Sequence, residues 1–444
     1  MRDEPRVLPR NFRKLTAEQR LQTLRDTYDL SAEELQMLGY RGNLDLSEIM
    51  TESAVGFLAL PMGIAAGIPV DELLYDVPLA VEEPSVIAAA TYGARILRGA
   101  GGIHTWASEP IMTTQVYLSD CPEGSVEKLR AAESQIVAEI SPVLAAMQRR
   151  GGGYRGMDVE LLQDLAVVRV QIDIDVRDAM GANLLNSTAE QAVPLLESLS
   201  GGRKVFAILS NAAPKRLAGA EFHAPLSRLR RGKLVGRPLA ERIVLASRIA
   251  ECDPMRAVTH NKGIMNGISS LASATGNDTR GLEAAVHAYA ARTGSYASLT
   301  SYRIEAGPHG EDVLHGRLEA PLVFGVVGGA VGIHPGARAA LKVLRKPGAM
   351  QLARIAAAVG LAQNFAALAA LVSEGIQAGH MRLHATRLAY IAGARGDLIE
   401  KVAARLSLGG VYNIETAASM LRDISGEQPT GTADPSESAQ KTEV

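Results

Sequence analysis

An α+β protein is predicted, with long helical stretches interrupted by a compact insert and closed by a helical module. Three observations predict it. Between Thr113 and Leu209 the apolar pattern runs strand, helix, long strand, helix, strand over about a hundred residues, the series of a small split, ferredoxin-like unit. On both sides of that insert the period returns to that of helices. A GxGxxG string at Gly151, Gly153 and Gly156 has a helix before it and a strand-like run after it, the reverse of a dinucleotide-binding turn, so no Rossmann fold is assigned.

The elements follow in order. Residues 16–39 read as two short helices, with Thr16 capping the first ahead of Glu18 and Ser31 the second ahead of Glu33 and Glu34. Glu82 to Leu97 is an Ala-rich helical pattern opening at Pro84. Thr113 to Leu118 is a strand and Ser125 to Arg150 a helix. After the triple glycine Gly151 to Gly153 come a strand at Leu165 to Val176, a helix at Thr188 to Ser198 and a strand at Val205 to Leu209. Gly236 to Cys252 and Thr279 to Arg292 are helical, and Val313 to Val327 is strand-like. Ala337 to Arg345 is helical, Pro347 breaks it, and Gln351 to Val372 resumes. A last helical module runs from His380 to about Ile424. The tail from Ser425 to Val444 has no aromatic residue and is expected to be disordered.

With 444 residues, two or three domains are expected. The 46 Lys plus Arg against 48 Asp plus Glu leave a net charge of -2, which argues against a general nucleic-acid or membrane-surface binder. Cys121 and Cys252 are the only cysteines and lack metal-ligand spacing, so a disulfide framework is not expected and a reducing cytoplasm is. The basic N-terminus has no apolar run behind it and does not read as a signal peptide. Ile355 to Val372 would span roughly 27 Å as a helix, almost a bilayer core. Eight of its residues are alanine, which barely favours lipid, so a helix buried in a protein core is the expectation.

Several local signals have bland readings. His380 and His384 are spaced i, i+4, but no HExxH and no third ligand accompany them, and no metal is expected. Arg228, Arg230, Arg231, Lys233 and Arg237 read as a solvated loop or exposed strand. Three segments are harder to dismiss. VEEPS (Val81 to Ser85) sets two carboxylates before a helix, against a plain acidic helix start. THNKGIMNG (Thr259 to Gly267) holds a lone lysine among polar residues, against an irregular loop with an exposed amine. TGND (Thr275 to Asp278) is otherwise a turn. Together they offer what carbonyl reduction needs: a cation for the developing oxyanion, a proton-donating carboxyl, and a second carboxylate tuning both.

On these segments the chain resembles hydroxymethylglutaryl-CoA reductases of the class II, bacterial and archaeal type. The matching stretches are ESAVG (52–56), EEPS (82–85), DAMGAN (178–183), DPMR (253–256), HNKGIMNG (260–267), GND (276–278) and GHM (379–381), in the family's order. The resemblance implies that Glu83 donates protons, Lys262 polarises the carbonyl, Asp278 links the two, and His380 protonates the departing CoA thiolate. It implies that Ser85, Arg256 and Asn266 hold the acyl group, and that Arg13 meets a CoA phosphate. Asp178, Met180, Gly181 and Asn183 match the cofactor motif, and Asn211 joins them. The implied fold is a large, mostly helical substrate domain (1–110 and 213–375) with a small non-Rossmann cofactor domain inserted (111–212), a C-terminal flap (376–424) and a tail (425–444).

The implied chemistry is a four-electron, two-hydride interconversion of hydroxymethylglutaryl-CoA and mevalonate plus CoA, through a hemithioacetal and mevaldehyde. The implied assembly is a homodimer or trimer of dimers with the site at the interface. NAD(H) and NADP(H) both stay open. NAD-preferring members carry a carboxylate in the helix before the triple glycine, whereas PVLAAMQRR (Pro142 to Arg150) has none near Leu144. Arg149 and Arg150 could meet a 2′-phosphate or simply face water. Direction, mevalonate breakdown or synthesis, is open with it. The rivals are another CoA-thioester oxidoreductase on the same scaffold and a non-catalytic nucleotide-binding protein.

Overall fold

The computed structural model describes residues 15–28, 32, 44–307, 310–373 and 375–425, the side chains at 376–383 and a few in the first helix aside. Thr16 caps α1 (Ala17–Tyr28): its Oγ1 accepts from Gln19 N at 3.3 Å while Gln19 Oε1 accepts from Thr16 N at 2.9 Å, a reciprocal box. The second expected helix, at Ser31, and the tail from residue 426 lie outside the described residues.

α2 (Leu44–Met50) leads to the hairpin β1 (Met62–Val70) and β2 (Leu73–Ala80), then α3 (Val86–Arg98) and β3 (His104–Ala107). β4 (Ile111–Ser119), α4 (Ser125–Ala131), α5 (Glu133–Gln148), β5 (Gly153–Leu162), β6 (Val167–Asp175), α6 (Ala182–Ser200) and β7 (Arg203–Ser210) follow. Their sheet is antiparallel in the order β5-β6-β4-β7, which is the ferredoxin-like arrangement. Two details differ from the sequence reading. The long helix is two helices meeting at Ala132, and β5 is a strand of its own, with a register shift between Tyr154 and Gly156 that blurs its alternation.

The chain then forms β8 (Leu217–Pro225), the short β9 (Arg230–Arg231) and β10 (Leu234–Val235), α7 (Arg237–Cys252), α8 (Pro254–Ala274), α9 (Thr279–Ala290), β11 (Thr300–Ala306) and β12 (Asp312–Pro321). The basic cluster surrounds the β9–β10 hairpin: Arg231 stacks on Tyr92 at 4.6 Å and Arg237 pairs with Asp312, while Arg228, Arg230 and Lys233 are exposed. α10 (Gly329–Ile333), α11 (Pro335–Val343), α12 (Ala349–Leu371), α13 (Ile376–Ile391), α14 (Asp397–Gly409) and α15 (Ile414–Ser425) complete the order.

Helix α12 contains the membrane-length stretch, and 89% of its apolar window is buried within the protein. Its alanines let neighbours come close. A Cβ on Gly93 of α3 would stand 2.2 Å from the Ala362 carbonyl oxygen, and one on Gly267 of α8 would stand 2.9 Å from Val359. The polar Asn364 is explained too: Oδ1 accepts from Tyr302 at 2.8 Å and Thr300 at 3.1 Å. This core takes in the hairpin, α3, α7, α8, α12 and the sheet β11-β12-β8-β3. A second core runs from Met112 to Ala213 with Ala285 and Val323, and a third joins α13, α14 and α15.

Candidate active site

The EEPS segment is the link between β2 and α3. The helix starts at Val86, two residues later than Pro84, with Ser85 as its cap in the left-handed region (φ 76). A non-glycine residue held there is strained by about 1–3 kcal/mol. Its Oγ is buried and has no hydrogen-bond partner among the described residues, which leaves a donor and an acceptor for something else.

HNKGIMNG is a helix, not a loop: it forms the middle of α8, which Asp253 caps by accepting from Met255 N. Tertiary contacts hold its poor helix formers in place. Asn261 is buried, donating to the Ala297 carbonyl at 2.9 Å and accepting from Leu299 N at 3.0 Å. His260 is buried against Thr300 at 2.6 Å. Desolvation, with Arg256 nearby, pushes its pKa down to about 3, so the ring stays neutral. Only Lys262 of the trio faces outward, with Asn266 one turn on.

Glu83 and Lys262, 179 residues apart in sequence, form an ion pair, and Asn266 Nδ2 donates to the other oxygen of Glu83 at 3.4 Å. A carboxyl, an ammonium and an amide thus share one spot beside the strained Ser85. The C-terminal helices reach it as well: Arg387 of α13 donates to the Glu82 carbonyl at 3.0 Å. His380 lies on that same helix, seven residues earlier, roughly 10 Å along the axis. Its side chain lies outside the described residues, as does Arg13. Arg256 is half-buried in the first turn of α8.

Asp278 occupies a different place. It caps α9, its Oδ1 accepting from Arg280 N and Gly281 N at 3.1 Å each. Twelve residues of rigid helix separate Lys262 from Ala274, roughly 18 Å. Within one copy of the chain Asp278 instead lines a narrow crevice with Asn211, Met180, Ala182 and Gly281.

The crevice borders the DAMGAN turn, which carries β6 into α6. Gly181 is the α6 cap at φ 97, and a Cβ there would meet Val176 at 2.6 Å, so the turn admits only glycine. No side chain caps the α6 N-terminus; Asn183 and Asn211 are exposed beside it. Asp178 has a holding role, its carboxylate accepting from Ala349 N at 2.8 Å.

Three contributors escaped the sequence reading. Asn277 accepts from Gly325 N at 2.7 Å, tying the GND turn to the strand exit. Buried Arg216 donates to the Ala179 carbonyl at 3.3 Å and to Phe324, fixing the DAMGAN turn; burial lowers its pKa to about 10, against the raising effect of Asp175 and Asp178. Arg387 is the third. Asn277 lay inside a quoted motif, and Arg387 two turns after His380; Arg216 had no local signal.

Comparison with known proteins identifies the family. The family model for hydroxymethylglutaryl-coenzyme A reductase matches residues 16–385. The 3-hydroxy-3-methylglutaryl-coenzyme A reductase of Archaeoglobus fulgidus is 39% identical over 93% of this chain and 94% of its own. The probable enzyme of that name from Borreliella burgdorferi is 33% identical over 94% and 96%. A solved Streptococcus pneumoniae 3-hydroxy-3-methylglutaryl-coenzyme A reductase superposes with a TM-score of 0.72 at 37% identity, covering 94% of this chain and 99% of that one. A class II structure from the same organism, bound to NADPH in open conformations, gives 0.71 at 37%, covering 92% and 99%.

Proposed function

The chain belongs to the hydroxymethylglutaryl-coenzyme A reductase family, and from that premise we propose that it interconverts hydroxymethylglutaryl-CoA with mevalonate and CoA at the Glu83–Lys262 centre. The single observation that supports this centre most is that ion pair, formed between two segments far apart in sequence beside an unpartnered serine hydroxyl.

When bound, the nicotinamide supplies or accepts hydride at the acyl carbon. Lys262 then sets its ammonium against the carbonyl oxygen, where negative charge develops. Glu83, sharing a hydrogen bond with that ammonium, delivers or receives the proton on the same oxygen. Ser85 and Asn266 contribute donors for the acyl chain, and Arg256 a cation for its carboxylate. His380 protonates the CoA thiolate as it leaves. Arg13 meets a CoA phosphate. Met180, Gly181, Asn183 and Asn211 form the cofactor side, with the uncapped α6 N-terminus suited to a pyrophosphate.

The same reading assigns 1–110 and 213–375 to substrate, 111–212 to cofactor and 376–424 to a closing flap, in a cytoplasmic enzyme. It also assigns self-association as a homodimer or trimer of dimers. Lys262 is 58% exposed and Asp278 stands past the far end of α8 as the cap of α9, so a second copy would bring its Asp278 to this Lys262. The exposed apolar run Leu58, Leu60, Met62 and Ile64, with Leu73 and Leu74 across the hairpin, suits such a partner. Mixing Lys262→Ala with Asp278→Asn chains then restores activity in mixed dimers; no recovery after co-refolding means that each copy works alone.

Two cofactor readings are distinguishable. Leu144 is fully buried, and Arg149 and Arg150 are exposed at the α5 end, which favours a 2′-phosphate and synthesis with NADPH. Breakdown with NAD is the second reading. One assay decides: protein, mevalonate, CoA and either NAD or NADP, following absorbance of the reduced nicotinamide. No turnover with either refutes the proposal.

A further inference from the structure

The face of the β11-β12-β8-β3 sheet turned away from α12 carries a group the catalytic reading does not use. His315 on β12 stands directly opposite His223 on β8, and their rings are stacked, with centroids 4.3 Å apart and planes 6° from parallel. Glu305, on the neighbouring β11, puts one oxygen 3.2 Å from His223 Nε2 and the other 3.8 Å from His315 Nδ1. One donor atom from each residue falls within 4.8 Å of the others. Around a four-coordinate zinc, with bonds near 2.1 Å, neighbouring donors lie about 3.4 Å apart. Stacked rings cannot both aim an in-plane lone pair at one ion, so binding requires the His223 ring, whose side chain is 39% exposed, to turn until Nε2 faces the ion.

We propose that His223, His315 and Glu305 bind a divalent transition metal, zinc foremost, with one position left for water. Two imidazoles and a carboxylate are the donor set such ions prefer to calcium or magnesium. His315 is only 4% exposed and its Nε2 has no hydrogen-bond partner among the described residues, with Glu221 Oε2 standing 3.4 Å away. With metal on Nδ1, Nε2 carries the proton and points at that carboxylate, the outer partner that metal-bound histidines favour. Burial, with Arg303 and His223 close by, lowers the His315 pKa, and the hydrogen bond from Arg303 foremost lowers that of Glu305. Arg303 is the competitor. It holds Glu305 now, but its side chain is 59% exposed and can swing away. The ion would pin three strands of the large sheet together.

The test uses untagged full-length protein freed of metal with a chelator, then titrated with zinc by calorimetry and with cobalt(II) by visible absorption. One ion per chain is expected, with a rise in Tm on zinc addition. His223→Ala and Glu305→Gln should each weaken binding at least tenfold. Arg303→Ala should tighten it, an effect that binding at scattered surface histidines would not show. Equal affinity in the wild type and in the His223→Ala/Glu305→Gln double variant, or weaker binding in Arg303→Ala, overturns the assignment. Turnover with mevalonate and CoA should be unchanged in His223→Ala, which separates this site from the catalytic one.

Discussion

Replacing Lys262 with alanine removes the cation paired with Glu83, and the size of the loss reports on more than the residue. A unit charge 3 Å from a developing oxyanion is worth about 1.4 kcal/mol in bulk water and about 5.5 kcal/mol at an effective dielectric of 20. Those limits correspond to losses of about tenfold and about ten-thousandfold in kcat. In one copy of the chain Lys262 is 58% exposed and Glu83 32%. An open site therefore predicts the small loss, and a site closed by the C-terminal helices or a second chain predicts the large one. We expect at least a hundredfold, typical of removing one preorganised donor. The assay is reduction of hydroxymethylglutaryl-CoA and, separately, of mevaldehyde, since both steps develop charge on the same oxygen. Stability should hardly change, because a half-exposed ion pair contributes about 0–1 kcal/mol. Near-normal mevaldehyde reduction by the variant, or a loss that tracks unfolding, would refute the reasoning.

Three other substitutions probe the frame of the site. Gly181→Ala meets both a positive φ and a 2.6 Å contact with Val176, so a loss of about 2–5 kcal/mol is expected, read as a lower urea midpoint; an unchanged midpoint would mean that the DAMGAN turn can rearrange. Ser85→Ala removes a hydroxyl that has no partner among the described residues, so stability should hold or rise while KM for the acyl-CoA increases. An unaltered KM would take Ser85 out of the acyl site. His260, pushed down to about 3 by burial, is neutral in the fold, whereas the unfolded chain takes up its proton below about pH 6.5. Its stabilisation is thus complete above that pH and is lost as pH falls towards 3, by up to about 1.4 kcal/mol per unit. The difference between urea midpoints at pH 7.5 and pH 5 should shrink in His260→Gln, and an identical difference would show that the ring protonates without unfolding.

What the sequence made legible is what local physics decides. Thr16 could be recognised as a cap because Glu18 follows in the first turn, where the helix dipole favours acid, and β6 because its alternation is uninterrupted. β5 was missed where a register shift at Gly156 breaks the alternation just after a glycine turn. HNKGIMNG looked like a loop because two glycines and two asparagines oppose a helix, and only long-range partners reverse that: the Ala297 carbonyl and Leu299 amide for Asn261, Val359 for Gly267. The site divides in the same way. Residue types suited to carbonyl reduction picked out Glu83, Lys262 and Asp278, but a separation of sixteen positions between the last two looked like nearness. A helix turns most of that interval, from Lys262 to Ala274, into a rod of roughly 18 Å. The distance from Lys262 to Asp278 is therefore a property of secondary structure, and if the two carboxyls do serve one ammonium, the second must arrive on another rod.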